Sequence, residues 1–177
     1  MALTRLGLNQ SINLATNITG TLATGNGGTG ATSFAPGKVG QIQHITKNTL
    51  QTFSSSTYAD SITDTITCSA SSSSVMVMLS LSLTKGSNTT TGAVRINEIV
   101  GGSVTDTRNI TDIWGWDQTT FGGQIGYNWM STPSSTAEVT YTVQLASQQN
   151  VAHIQTNNYQ AGANRAVSTL ILMEILA

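Results

Sequence analysis

Hydrophobic and polar residues alternate along most of the chain after residue 38, and this pattern predicts a series of β-strands. The clearest case is the segment 75–83, in which every second residue from Val75 onward is Val or Leu and the residues between are Met or Ser. Successive side chains of an extended chain point to opposite faces, so this segment predicts a strand with one apolar face. Segment 139–145 predicts another half-buried strand, and segment 110–116 predicts a short aromatic strand. Segment 168–175 is apolar on both faces, which is typical of a central or interfacial strand.

The spacing of these segments predicts the fold class. About eight short strands recur at intervals of about 10–15 residues, separated by turns rich in Gly, Ser and Pro, and no helix of three turns is predicted. We therefore predict an all-β fold, an antiparallel β-sandwich or jelly-roll knob over residues 39–177. Some apolar residues exceed what one sandwich interior needs, which predicts an oligomeric seam. They are Met76, Met78, Leu170, Leu172 and Leu176.

Residues 1–38 have a different pattern and predict an extended N-terminal arm followed by a glycine-rich linker. Six Leu and Ile residues of the first 24 occupy even positions, so an extended chain would place them on one face. A lone strand of this kind would leave an apolar face uncovered, so we expect the arm to associate with copies of itself or with a partner. A partly disordered arm is the alternative. The residues expected to mediate docking or trimerisation are Leu6, Leu8, Ile12, Leu14, Ile18 and Leu22.

The glycine-rich linker contains a literal match to the dinucleotide-binding pattern G-x-G-x-x-G at Gly25, Gly27 and Gly30. That fingerprint requires a helix that opens at its end and an acidic residue roughly 20 positions later. Pro36 stands where the helix would run, and the positions around Leu50 hold no Asp or Glu. The segment therefore predicts a tether or a close approach of backbones rather than a nucleotide site.

Composition and charge narrow the classes of partner. Only 8% of the residues are charged and the formal net charge is −1, which argues against nucleic acid and against anionic membrane surfaces. No apolar run is long enough to insert into a bilayer, so we expect no membrane insertion. The single cysteine, Cys68, excludes an intrachain disulfide framework, and we expect it to be a buried small hydrophobe.

Residues with catalytic or metal-ligating chemistry follow no recognised spacing. The two histidines belong to no metal-binding pair, and no G-x-S-x-G elbow is present, although the many serines leave a Ser-His-Asp arrangement open. Two aspartate pairs are expected to be solvated turn carboxylates. We predict no enzymatic activity, no catalytic residue, no metal and no cofactor. The residues considered are His44, His153, Asp60, Asp64, Asp106 and Asp112.

An aromatic segment is the best candidate for recognition of another molecule. Sugars stack their apolar faces on aromatic rings while carboxylates and amides bind the hydroxyl groups. Packing in the core or at a subunit interface is the alternative, because tryptophans this close together also suit an anchored seam. The candidate receptor or glycan contacts are Trp114, Trp116, Asp117, Phe121, Tyr127 and Trp129.

One sequence element resembles a known class of proteins. The residues ITGTL at 18–22, followed by NGGTGAT at 26–32, resemble an element of tailed-bacteriophage fibre and appendage proteins. Later segments, including 36–39 and 132–136, are similar to β domains attached to that element, with a weaker signature. The resemblance implies a homotrimeric virion protein with an N-terminal docking segment and a C-terminal knob. The chain has no long shaft, which favours a short fibre, a tip protein or a capsid-surface fibre.

Together these observations predict a bacteriophage virion structural protein. It would be a short trimeric surface fibre that docks on other virion proteins, of capsid or tail, through residues 1–30 and adheres through its knob to a host or environmental surface, for example to a glycan. It would be assembled in the host cytoplasm and lie on the virion surface. Two alternatives remain at this stage: a capsid decoration or cementing protein without a receptor, and a glycan-active enzyme domain, for which eight acidic residues in all are few.

Overall fold

The computed structural model describes residues 38–85, 92–113, 121–147, 154–157 and 166–177. The chain divides into two units, 1–37 and 38–177, and the account below concerns the second. The arm, the linker and the six predicted docking residues lie outside the described residues. Within the described ranges, no helix is long and apolar enough to cross a membrane.

Ten β-strands make up the described unit, and several of them match the alternating segments closely. The final strand has the predicted bounds, and the strand predicted at 75–83 extends by one residue at its start and two at its end. The strands are β1 (Val39–Lys47), β2 (Gln51–Phe53), β3 (Ala59–Thr67), β4 (Ser74–Lys85), β5 (Gly92–Val100), β6 (Ser103–Ile113), β7 (Phe121–Ser131), β8 (Glu138–Ser147), β9 (Ile154–Thr156) and β10 (Ser168–Ile175).

The strands form two antiparallel sheets with the connectivity of a jelly roll. One sheet has the order β1-β10-β4-β7, and the other has the order β3-β8-β5-β6. When the short β2 and β9 are left out, the eight remaining strands pair from the two ends of the chain inward: β1 with β10, β3 with β8, β4 with β7, and β5 with β6. A long antiparallel ribbon rolled up in this way is an eight-stranded jelly roll. The predicted fold class is therefore confirmed, whereas the trimer remains a prediction.

Alternation determines which side chains enter the core between the two sheets. In β4 the odd-numbered residues from Val75 to Leu83 are buried, and in β8 the odd-numbered residues from Val139 to Leu145 are buried. These apolar faces meet between the sheets, where burial of each large side chain contributes roughly 1.5–3 kcal/mol before the entropy of ordering is counted. Cys68 belongs to this core, as predicted.

The short strands β2 and β9 extend the first sheet beyond the end of β10. Both β10 and β9 pair with the same side of β4, so the ladder has a junction between them. At that junction the backbone N–H of Ser82 donates to the hydroxyl of Ser168 at 3.0 Å, and this hydroxyl lies 2.6 Å from the side-chain oxygen of Asn157. Asn157 has a positive φ of 58° and its side-chain amide donates to the carbonyl of Thr49. Side chains thus replace missing ladder bonds, which keeps this buried backbone satisfied.

The structure corrects two details of the sequence analysis. The strand predicted from residue 110 begins at Ser103, directly after the turn Gly101-Gly102, where both glycines have positive φ as a two-residue hairpin turn requires. The alternation was weak there because β6 is a sheet edge and much of it is exposed. The four aspartates expected on turns, Asp60 and Asp64 in one pair and Asp106 and Asp112 in the other, instead lie within strands β3 and β6 respectively.

Candidate ligand-binding cleft

A cleft of about 260 Å³ opens beside the edge strands β6 and β7, one from each sheet. Jelly-roll connectivity leaves this side of the sandwich open, because neither strand has a further neighbour in its sheet among the described residues. Its walls combine polar side chains of the β5–β6 hairpin with the end of β7 and the segment that follows. The lining residues are Glu98, Thr105, Asp106, Arg108, Trp129, Met130, Ser131, Thr132 and Pro133.

A buried carboxylate, that of Glu98, lies at the base of this cleft. Glu98 is inward-facing on β5 and only 4% exposed. The hydroxyl of Ser131, from the opposite sheet, donates to one carboxylate oxygen, and the hydroxyl of Thr105 donates to the other at 2.6 Å. The hydroxyl of Tyr141 lies 3.3 Å from the first oxygen and 3.0 Å from that of Ser131. We call these four residues the buried carboxylate cluster. It links the two sheets by charge-assisted hydrogen bonds, which are stronger than neutral ones.

The surroundings of Tyr141 suit a hydroxyl that stays protonated. Burial is the main cause that raises the pKa of Tyr141 well above its usual value, and the neighbouring Glu98 carboxylate raises it further. The hydrogen bond with Ser131 acts in the opposite direction but is outweighed. The phenol therefore remains a hydrogen-bond donor across the physiological range of pH.

Trp129 forms the aromatic wall of the cleft but is itself mostly inside the core. Its side chain is 7% exposed, and its ring meets that of Tyr141 edge-to-face at a centroid distance of 5.8 Å. The guanidinium of Arg108 lies over the indole at 5.1 Å from the ring centroid. The indole N–H is buried and has no hydrogen-bond partner among the residues that the structure describes. A buried N–H without an acceptor costs about 1–3 kcal/mol of folding free energy, so this wall of the cleft contains an unsatisfied hydrogen-bond donor.

Arg108 and Asp106 are the charged groups at the mouth of the cleft. They form an ion pair at 2.7 Å, and both side chains are more than a third exposed. Exposed pairs of this kind contribute little to stability, so the guanidinium can exchange partners at low cost. The cleft thus offers donors and acceptors to a hydroxyl-bearing ligand. The hydroxyl of Ser131 donates to a carboxylate rather than to an imidazole, an arrangement that holds a carboxylate in place and does not activate a nucleophile.

The predicted aromatic contacts that lie within the described residues do not come together at this cleft. Trp114, Trp116 and Asp117 lie outside the described residues. Phe121 begins β7, and Trp129 follows eight residues later in the same strand, so their backbones lie roughly 27 Å apart at opposite ends of it. Tyr127 is partly buried against the core, and only Trp129 lines the cleft.

Most residues of the cleft carried no functional prediction from the sequence, among them Glu98, Arg108 and Ser131. A signal for Glu98 was present, because it continues the inward alternation of Val94 and Ile96, and a lone charge at an inward position of a strand marks a buried polar network. Ser131 carried no comparable signal, since serine is abundant throughout the chain.

The remaining residues with titratable or ligating chemistry lie elsewhere. His44 lies on β1 and its ring is 3.1 Å from the hydroxyl of Thr46, whereas His153 lies outside the described residues. Burial, followed by the charges of Glu174 and Glu98, raises the pKa of the Cys68 thiol and keeps it unreactive. The described part of the chain contains no group of three or more His, Cys, Asp or Glu residues that could hold a metal ion.

Comparison with known proteins shows a likeness in fold but assigns the chain to no family. No protein-family model and no curated protein matches the chain. The VP2 subviral particle of infectious bursal disease virus is similar in fold, with a TM-score of 0.52 at 13% identity over 77% of this chain and 32% of that chain. T=1 particles derived from infectious bursal virus give a TM-score of 0.49 at 11% identity, over 77% and 40% of the respective chains. The chain therefore spans about a third of the length of that VP2 chain, and the likeness is one of fold.

Proposed function

We propose that this chain is a structural protein of a virus particle, a short trimeric surface fibre of a tailed bacteriophage. The observation that carries the proposal is the jelly-roll strand order of residues 38–177, a fold shared with VP2 of a subviral particle. The phage-like element at residues 18–32 supports the assignment to a fibre or appendage. In this proposal residues 1–30 dock on capsid or tail proteins, and the jelly-roll knob faces outward.

The knob adheres to a host or environmental surface, and the cleft beside β6 and β7 is the contact site in the described residues. Arg108 and Asp106 supply exchangeable donors and acceptors at its mouth, while Met130 and Pro133 supply apolar surface. These groups suit a neutral hydroxylated ligand such as a surface glycan. Individual contacts of this size are weak, and three knobs per fibre on many fibres would make adhesion effective through multivalency.

Localisation on the particle tests the structural role. Ala177 is exposed at the end of the chain, so a small label fused after it should not disturb the sandwich. Electron microscopy of purified particles should show the label on the surface, and particles assembled with a chain that lacks residues 1–24 should lose it. Absence of the intact chain from purified particles would refute a virion role, and incorporation without residues 1–24 would refute docking through the arm.

A capsid decoration protein without a receptor is the second candidate, favoured by the likeness in fold to the VP2 protein of a subviral particle. Particles that lack the chain distinguish the two functions. If they adsorb normally to host cells but release their genome at lower temperature, the chain cements the shell. If they are stable but adsorb poorly, the chain is an adhesin.

A glycan-cleaving domain is the weakest candidate, although two carboxylates, Glu98 and Asp106, line the cleft. Glycosidases use one carboxylic acid as the proton donor and a second as nucleophile or base. Both oxygens of Glu98 already accept hydrogen bonds from the protein, and Asp106 pairs with Arg108. Incubation with host surface glycans should therefore release no reducing ends, and release that is abolished by Glu98→Gln would establish the enzyme instead.

A further inference from the structure

The outer face of the β1-β10-β4-β7 sheet, the side turned away from the core, is apolar over about half its length. Antiparallel register aligns the outward residues in rows across the strands, and one row runs through all four strands as Ile42, Met173, Met76 and Met130. Ile42 is 54% exposed and Met130 is 49% exposed. We call the outward apolar residues of this sheet the methionine face. They are Val39, Ile42, Met76, Met78, Met130, Ile171, Met173 and Ile175.

The methionine face holds every methionine of the chain except Met1. Methionine side chains are flexible and polarizable, and they adapt to a partner surface better than branched side chains do. In β4 the inward residues that alternate with Met76 and Met78 are Val and Leu, and these fill the core. Their concentration on one outward face is a property of this surface.

The second sheet shows what a solvated outer face looks like in the same molecule. There the amide of Gln144 accepts hydrogen bonds from Arg95 at 2.8 Å and Asn97 at 3.0 Å and donates to Asp60 at 2.7 Å. The hydroxyl of Thr107 continues this network to Asn97. By contrast, the described outward residues of β1, β10, β4 and β7 include no Asp, Glu, Lys or Arg, and His44 is the one titratable side chain among them. The outer face of the second sheet is therefore polar, whereas that of the first sheet is apolar over about half its length.

We propose that the methionine face binds the methionine face of a second copy of this chain. A face that pairs with itself cannot carry several charges of one sign, because like charges would meet. The described outward residues of this face hold no acidic residue, Lys or Arg, and its one titratable side chain is His44 on the edge strand β1. The polar ends of the same strands, at Thr46, Ser80 and Thr169, are adjacent to its apolar rows. A two-fold axis through the apolar half would turn these polar ends to opposite sides. The contact would then have an apolar centre and a polar rim, as protein interfaces do.

The size of the methionine face determines how tight this contact is. Four strands about 4.8 Å apart and three outward rows about 7 Å apart give a patch of roughly 400 Å², which includes the polar residues His44, Ser74 and Asn128 of these rows. Two copies would therefore bury roughly 800 Å² in total, below the 1,200 Å² or so of standard stable interfaces. The contact is weak by itself and depends on concentration. The contact becomes effective where copies are held close together, as on the virus particle of the proposed function. The inference extends that function by a specific contact between two copies of the chain.

Sedimentation equilibrium of the full chain tests the proposal over micromolar to millimolar concentrations. The wild type should show a mass that rises with concentration. Ile42→Lys and the double variant Met76→Lys with Met173→Lys should weaken self-association at least about tenfold, because a buried ammonium group without a partner is strongly unfavourable. Val104→Lys is the matched control, since Val104 is 55% exposed on the other sheet and should leave association unchanged.

Oxidation of the wild type gives a second measurement that needs no variant. Hydrogen peroxide converts methionine to its sulfoxide at a rate that follows exposure. Mass spectrometry should show that Met76, Met130 and Met173 are oxidised more slowly as the protein concentration rises. A wild-type mass that stays constant over the whole concentration range, or association that Val104→Lys weakens as much as Ile42→Lys does, would overturn the proposal. Failure of the chain to locate on particles would refute the proposed function and leave this result intact.

Discussion

Glu174 gives the sharpest prediction about stability. Its carboxylate is 1% exposed near the end of β10 and accepts hydrogen bonds from the backbone N–H of Ser69 at 2.7 Å, the hydroxyl of Ser69 at 2.6 Å and the amide of Gln41 at 3.0 Å. Burial alone would raise the pKa of Glu174, but these hydrogen bonds outweigh it and lower the pKa from 4.5 to about 2. The charged form is therefore the one that the folded protein stabilises.

The magnitude follows from the difference between the two pKa values. A group with a pKa of 4.5 in the unfolded chain and about 2 in the folded chain contributes about 3 kcal/mol of folding free energy when it is ionised. Because the folded pKa is the lower one, this contribution is complete above pH 4.5 or so. It is lost as the pH falls from there through about 2, below which both states bind the proton.

Glu174→Gln tests this reasoning. The variant keeps an oxygen for the Ser69 donors, but its own amide N–H groups would face the donor of Gln41, so we expect a loss of about 1–3 kcal/mol at pH 7. Urea denaturation at a series of pH values should show a difference between wild type and variant that is constant above pH 5 and shrinks towards pH 2. Glu138→Gln, at an exposed position on β8, is the control. A difference that does not change between pH 5 and pH 2 would refute the hydrogen-bonded carboxylate as its cause.

Three further predictions concern the same unit. Gly40→Ala should destabilise the fold by about 1–3 kcal/mol in urea titrations, because the added Cβ would lie 2.7 Å from the buried carboxylate oxygen of Glu174. Gly126→Ala is the control: no atom of the described residues lies within 4 Å of its added Cβ, so it should be neutral or slightly stabilising. Ser131→Ala removes a donor to the buried carboxylate cluster and should cost about 1–3 kcal/mol by the same assay; an unchanged midpoint would argue against that network. Cys68 should react with a thiol reagent in denaturant but not in the folded protein, and rapid labelling of the folded protein would contradict its burial.

The fold class could be predicted from sequence because it depends on local pattern. Alternation with period two specifies strands and their faces, and it located β4, β8 and β10 closely. It failed at the start of β6, where an exposed edge strand has little apolar content. The cleft could not be predicted, because Glu98, Thr105, Ser131 and Tyr141 come together only through the pairing of distant strands.

The sequence by itself determined that the chain forms strands with two distinct faces and that some of those faces exceed the needs of one core. Met76 and Met78 were expected at an oligomeric seam together with Leu170 and Leu172. The tertiary structure places the two leucines in the core and the two methionines outside. Alternation states which residues share a face, but when both faces of a strand are apolar it does not state which one turns inward. That choice is made by the register with neighbouring strands and by the second sheet, which covers only one side.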